Sequence, residues 1–508
     1  MKYPEKKFTL PLSLLFISLN SFAEPWIDTS NIFLRADLQL LSDKGHINTT
    51  TTTYPIMWAE VSRALKSVDE TSLDETSKNA YWHIKQHLRR ANNNQHKIEL
   101  NFATKDKRFT SFGDEYRDDN VAKGGFSFIG DAWSAKLSAS IVDTPEDGEE
   151  ARIDGSYIAT HIGNWVLSAG AYDRWWGPGW DSNLALTNNA RPLAGVAISR
   201  KTSEPFVMPF FNDIKIPWTV TTFMNVFEED RHVPNTWLWG FRLNFKPIPS
   251  LELGITRLAQ WNGDNRPGGF DTFMDVLAGK DNCELTAKEC DDLDLEPGNQ
   301  LAGADARYTA NWFAQPFSIY TQMMAEDGNS KNGDLVGQKV WTYGADTQLF
   351  MFDTYWRAYL EYTDSYTDCT PRNSDDRLGV GDCLYEHHIY RSGMRYEGRA
   401  IGNLYDNDSE TYVLGFVSQL TNLSSWEIKL KYLDLNYDNS DWYPDDPNLG
   451  NTVTKVAEEV YMLSIKYQLR QGRFKYTVGG DYSKSSYINE DLKDSSEPNM
   501  YFNVEYIL

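Results

Sequence analysis

Beyond residue 23 the chain has no apolar run approaching the roughly 20 residues that a helix needs to cross a bilayer, which excludes helical spans. Basic residues are in the minority, 49 Lys and Arg against 72 Asp and Glu, for a formal net charge of −23. That balance excludes nucleic acid as a partner, because a polyanion is held by clustered positive charge. Cysteine is scarce, with four residues in 508, and none are spaced as CxxC. A zinc site is therefore disfavoured. In an exported chain the economical expectation is two loop-closing disulfides, Cys283–Cys290 and Cys369–Cys383, although four cysteines allow three pairings.

Histidine is also rare, and its placement argues against an enzyme. His83 and His87 share a helical face, but Ile84 stands where a zinc peptidase needs Glu. His387 and His388 sit beside Glu386 in a loop, where solvation is the default reading. No Ser and His share a strand face near a rim, as acyl hydrolysis would require, so neither turnover nor a cofactor is expected.

What is present begins with a leader. "MKYPEKKFTLPLSLLFISLNSFA" has a basic start, an apolar middle and small residues at its end, the layout of a cleaved secretory signal over 1–23. Residues 24–96 then read as short helices, with Trp58, Val61 and Leu65 on one face and Tyr81, Ile84 and Leu88 on another.

From 97 to 508 the period changes to two. In "TWLWGFRLNFK" the residues Trp237, Trp239, Phe241, Leu243 and Phe245 alternate with Leu238, Gly240, Arg242, Asn244 and Lys246. The same rhythm runs through 459–470, 473–482 and the closing 499–507. Aromatics make up 14% of the chain, and such alternating strands hide their hydrophobicity from window averages. Connections counted back from Leu508 alternate short, such as 471–472 and 247–250, with long, such as 262–302 and 367–409.

A sandwich has no cause to place its long loops on alternate connections, whereas a barrel with one rim in the periplasm does. The pattern predicts a mainly β chain, an outer-membrane antiparallel barrel of eighteen strands with both termini periplasmic. The link across 193–216 is longer than a periplasmic turn should be, and 389–398 is an alternative strand.

Three strings are distinctive: "PWIDTSNIFLRADLQLLSDKG" (25–45), "WWGPGWDSNLALTNNARP" (175–192) and "AQWNGDNRPGGFDTFMDVLAGKDN" (259–282). In these the chain resembles the Wzi family of capsule-assembly outer-membrane proteins. The resemblance implies an eighteen-stranded barrel with a helical bundle near its periplasmic mouth. It also implies lectin-like retention of capsular or exopolysaccharide at the cell surface, and it carries over no catalytic residue. The partners expected are that polysaccharide, outer-membrane lipid and lipopolysaccharide, with the export machinery as a further candidate. A porin-type channel for sugars or anions is the rival reading.

The residues themselves offer two sugar sites. Indole faces make platforms for sugar rings, and amides, carboxylates and guanidinium groups orient them. On that ground Trp175, Trp176, Trp180, Asp181, Asn183, Asn188, Asn189 and Arg191 form the first candidate, with a packed constriction as its plainer reading. Trp261, Asn262, Asp264, Asn265 and Arg266 form the second. The acidic "DNCELTAKECDDLDLEPG" that follows reads as a solvated face, or as a place where calcium bridges anionic polymer. The basic groups on the non-lipid strand face, Arg242, Lys246, Arg357, Lys429, Lys431, Lys466, Arg470, Arg473 and Lys475, are expected to pair inside the barrel and fill it.

Overall fold

The two-residue rhythm gives each strand one apolar and one polar face, and the only arrangement that satisfies every strand edge in lipid is a closed cylinder. The computed structural model describes residues 24–508 apart from 131, 208–214, 280–296, 313–314, 327–338, 369–379, 382, 421–422 and 490–491. Among them eighteen antiparallel strands close into one barrel.

In chain order they are β1 His96–Ala103, β2 Asn120–Ile129, β3 Trp133–Asp143, β4 Ala151–Arg152 with Tyr157–Ile162, β5 Trp165–Ala171 and β6 Ala194–Arg200. They continue with β7 Trp218–Val226, β8 Trp237–Ile248, β9 Leu251–Trp261, β10 Gly298–Trp312, β11 Gln315–Glu326 and β12 Lys339–Met351. The last six are β13 Thr354–Asp364, β14 Ser409–Gln419, β15 Ser424–Leu435, β16 Glu458–Gln471, β17 Phe474–Tyr487 and β18 Ser495–Ile507. Closure is made by β18 on β1, in a register that runs from Tyr501 opposite Ala103 to Ile507 opposite Lys97.

The outward face is apolar, as in Ile255, Ile319, Leu360, Leu430 and Val478, all exposed from the barrel wall. The inward face carries Arg242, Asn244, Lys246, Arg307, Arg357, Lys429 and Lys466, all buried. Short connections such as 249–250, 352–353 and 472–473 share one rim, and 172–193, 262–297, 365–408 and 436–457 share the other. The long 201–217 link on the short-turn rim carries a small ladder of Phe206–Val207 with Lys215–Ile216 and a contact to the helices. Ser203 donates from its N and Oγ to the Glu60 carboxylate, each at 2.7 Å, and so docks the helical segment. Over 389–398 there is no barrel strand, only the small ladder of Arg395–Tyr396 with Arg399–Ala400. A feature that the alternation does not reveal is a helix inside a long loop, Phe270–Leu277, here α4.

The helices before the barrel are α1 Ile32–Asp43, α2 Trp58–Leu65 and α3 Glu75–Ala91. Asn31 caps α1 by accepting from Phe33 N and Leu34 N at 3.1 and 3.0 Å. Such a cap satisfies donors that the first turn leaves open. Asp74 does the same for Ser77 N at the start of α3. Ile32, Phe33, Leu34, Leu38, Leu40 and Leu41 are buried around most of α1's circumference, as in a helix enclosed on all sides. Their cluster continues without a break into lumen residues Tyr320, Tyr359, Val413 and Val460. The helical segment thus stoppers the short-turn mouth. The first and last described residues lie at that end too, with Glu24 N donating to Ala91 O and Leu508 N to His96 O.

Candidate functional site

The segment 172–193 leaves β5 at the long-loop rim and turns down into the lumen. Trp175 and Trp176 form a short ladder with Tyr54 and Thr53 of the helical segment, so plug and loop meet inside the barrel. The turn needs glycine: at Gly177, with φ +145°, a Cβ would lie 2.2 Å from Asn183 Oδ1. At Gly179 it would lie 1.9 Å from Ser182 O.

The carbonyls freed by this turn find donors. Arg35 Nη2 reaches Gly179 O at 2.7 Å and Pro178 O at 3.2 Å. Its guanidinium lies 4.4 Å from the Trp180 ring centre, while Trp180 stacks on Tyr359 at 5.9 Å. The Glu361 carboxylate accepts from the backbone N of Trp180 and Asp181. Gln322 holds the loop twice, donating to Trp176 O at 2.9 Å and accepting from Leu184 N at 2.8 Å.

The first candidate set is therefore brought together, but facing protein. Trp175, Trp176 and Trp180 have no exposed surface, and Asp181, Asn183, Asn188, Asn189 and Arg191 are buried. Asp181 is ringed by Lys431 at 3.0 Å, Lys429 at 3.4 Å and the Tyr405 hydroxyl. Asn189 accepts from Thr110 N at 3.3 Å, and Arg191 pairs with Asp154, Asp147 and Glu149 within 3.0 Å. In this arrangement the eight residues form the packed interior of the inserted loop.

The second set divides. Trp261 points outward and is covered by α4, with its ring 5.0 Å from Phe273. Arg257 closes that helix by donating to the Val276 and Leu277 carbonyls, each at 2.8 Å. Asp264 and Asn265 are exposed, with Asn262 and Arg266 half-buried beside them. Asp264 accepts from Asn235 Nδ2 at 3.4 Å, and Arg266 lies 5.8 Å from the Tyr390 ring centre. This turn is an open polar surface with an aromatic beneath it. The acidic stretch 281–296, proposed for calcium, lies outside the described residues. So do Cys283, Cys290 and Cys369, while Cys383 is disulfide-bonded. Sequence reasoning passed over Tyr437, 56% exposed on the same rim.

The basic groups of the lumen are held one by one by carboxylates or hydrogen-bond acceptors. Arg242 pairs with Asp305 at 2.6 Å, Lys246 donates to Ser42 of α1 at 3.0 Å, and Lys475 pairs with Glu115 at 2.6 Å. Asp43 of α1 lies between Arg307 and Arg357, at 3.1 and 3.0 Å, and both arginines also grip Asp346. Lys466 pairs with Glu427 and Arg470 with Glu505, whereas Arg473 is on an exposed turn. Glu99, Glu115 and Glu505 approach one another as metal ligands would, but Lys97 and Lys475 already stand among them. A cation there would meet positive charge.

Residues 89–499 match the family described as "Capsule assembly protein Wzi". A Klebsiella pneumoniae protein described as an uncharacterized 55.8 kDa protein in the cps region is 31% identical over 307 residues, which span 58% of this chain and only 57% of that protein's length. The solved structure of Wzi from Escherichia coli, an outer-membrane protein involved in group 1 capsule assembly, superposes with a TM-score of 0.79 at 23% identity. It covers 95% of this chain and 99% of that one, and the likeness establishes the fold.

Proposed function

The chain belongs to the Wzi family of capsule assembly proteins, and from that premise we propose that it binds carbohydrate at the outer membrane and retains capsular or exopolysaccharide on the cell surface. The solved Escherichia coli relative is described as a carbohydrate-binding β-barrel. The observation that carries the reading here is the filled lumen, where Arg35, Asp43 and Trp180 join the helical stopper, the inserted loop and the wall. A polymer does not thread such a barrel, so contact falls on the long-loop rim. The turn at Asn262, Asp264, Asn265 and Arg266 supplies amide, carboxylate and guanidinium groups there. Trp175, Trp176 and Trp180 lie beneath that rim, packed inside the barrel as part of its filling.

On this reading the 1–23 leader directs export, the short-turn rim with both chain ends faces the periplasm, and the apolar band meets lipid and lipopolysaccharide. The exposed faces of α2 and α3 are left for export machinery. The role needs no turnover and no cofactor. Deleting the encoding gene should move polysaccharide from the cell-bound to the shed fraction, and a N265A/R266A variant should do so while folding normally. Undiminished retention in the deletion strain would end the proposal. Steady conductance through the intact protein in planar bilayers would favour the porin-type channel.

A further inference from the structure

At the long-loop rim two carboxylates stand together, Asp408 and Asp438, linked through the Asp438 backbone N. Asp408, immediately before β14, has no exposed surface. Its Oδ2 accepts from Asp438 N at 3.2 Å and its Oδ1 has no partner. Tyr437 N donates to Asp408 O at 3.1 Å, which seats the 436–438 turn after β15 against residue 408. Asp438 accepts from Ser440 N and Oγ on one oxygen, at 3.0 and 2.9 Å, and its other oxygen is buried and unpartnered. Asn436, also without exposed surface, gives Nδ2 to Thr454 O and leaves Oδ1 unpartnered. Asn407, next to Asp408, likewise leaves its Oδ1 unpartnered.

Buried oxygens are nearly always paired, and each exception asks for a missing group. Here two of the unpaired atoms are carboxylate oxygens, which a cation would satisfy. Arg395 is committed to Asp406 and Glu386, each at 2.6 Å, and Lys455 to Asp441 at 3.2 Å. Among the described residues no basic side chain forms an ion pair with Asp408 or Asp438. The contrast with Glu99, Glu115 and Glu505 is direct, since lysines already neutralise that cluster.

We propose that Asp408, Asp438 and Asn436, with Asn407 at the edge, form a calcium site that fastens the loop entering β14 to the loop leaving β15. Carboxylate and amide oxygens are hard ligands of the kind Ca²⁺ takes, six to eight at a time with water completing the shell. No histidine or cysteine is present among them to favour zinc. The occupied site holds the exposed Tyr437 ring between two of its ligands. The inference is independent of sugar binding and separate from the acidic stretch 281–296.

The test is calcium titration of the full mature chain in detergent, by calorimetry and by thermal melting. We expect a saturable site with a Kd of about 0.1–1 mM, the range of modules that face outside the cell. D408N, D438N and N436A should each weaken it at least tenfold, and D264N should leave it unchanged. Calcium should raise the melting temperature of the parent and not of D408N. In chelator, D408N should melt no lower than the parent, because it removes a like-charge contact; this separates loss of the site from loss of folding. Equal calcium affinity in the parent, D408N and D438N would overturn the proposal. So would an absence of saturable binding by the parent up to about 10 mM, well beyond that range.

Discussion

Asp43 is one of the points at which the helical stopper is fastened to the barrel wall, and D43N isolates that fastening. The side chain is 2% exposed and accepts from Arg357 Nη1 and Nη2 at 3.0 Å and from Arg307 Nη2 at 3.1 and 3.2 Å. Neutralising it leaves two buried guanidinium groups sharing only Asp346, one uncompensated positive charge. Removing one partner of a buried pair costs about 3–5 kcal/mol, and Asn, which can still accept a hydrogen bond, should fall at the low end. The assay is thermal loss of the compact barrel band in detergent, with planar-bilayer conductance as a second readout, since α1 occupies the short-turn mouth. D43N should melt lower and admit current bursts that the parent lacks. D43N/R357M restores charge balance and should recover part of the loss, with a coupling of about 1–3 kcal/mol across the double-mutant cycle. If D43N melts with the parent and the cycle shows no coupling, the ion-pair node does not hold the stopper.

W180A should cost about 3–5 kcal/mol by opening a cavity under Arg35 and beside Tyr359, yet leave polysaccharide affinity of the folded protein unchanged. Lost affinity at undiminished stability would return this ring to the sugar site. For Glu386 burial comes first, Arg395 opposes it and Asp406 adds to it, and the carboxyl is pushed from 4.5 up to about 7. Its folded value lies above its unfolded one, so its contribution to stability is full below about 4.5 and is lost as pH rises through about 7. Melting should therefore fall between pH 5 and pH 8, and E386Q should flatten that slope; an unchanged slope in E386Q would assign it to other groups.

Much of the barrel can be read from the chain alone because its cause is local. A strand's side chains alternate by backbone geometry, so Trp237 to Phe245 and Tyr461 to Leu469 declare their lipid face without any knowledge of neighbours. Loop lengths likewise report which rim they belong to, and the eighteen strands lie close to their expected positions. The 201–217 link departs from that rule, and its Ser203 meets Glu60, a residue more than a hundred positions away.

The orientation of the tryptophans in 173–192 was decided by tertiary structure. Their composition suits a sugar platform and a packed constriction equally well, since both use flat apolar rings bordered by amides. The choice depends on Arg35, Tyr54, Gln322, Tyr359 and Glu361, which arrive from a helix, a short ladder and two strands and share no pattern in sequence with the loop. Likewise Asp408 and Asp438 become neighbours only because β14 and β15 pair from Ser409 opposite Leu435 onward. Periodicity is set within a few residues, whereas burial and charge compensation are set by whatever the closed chain brings alongside.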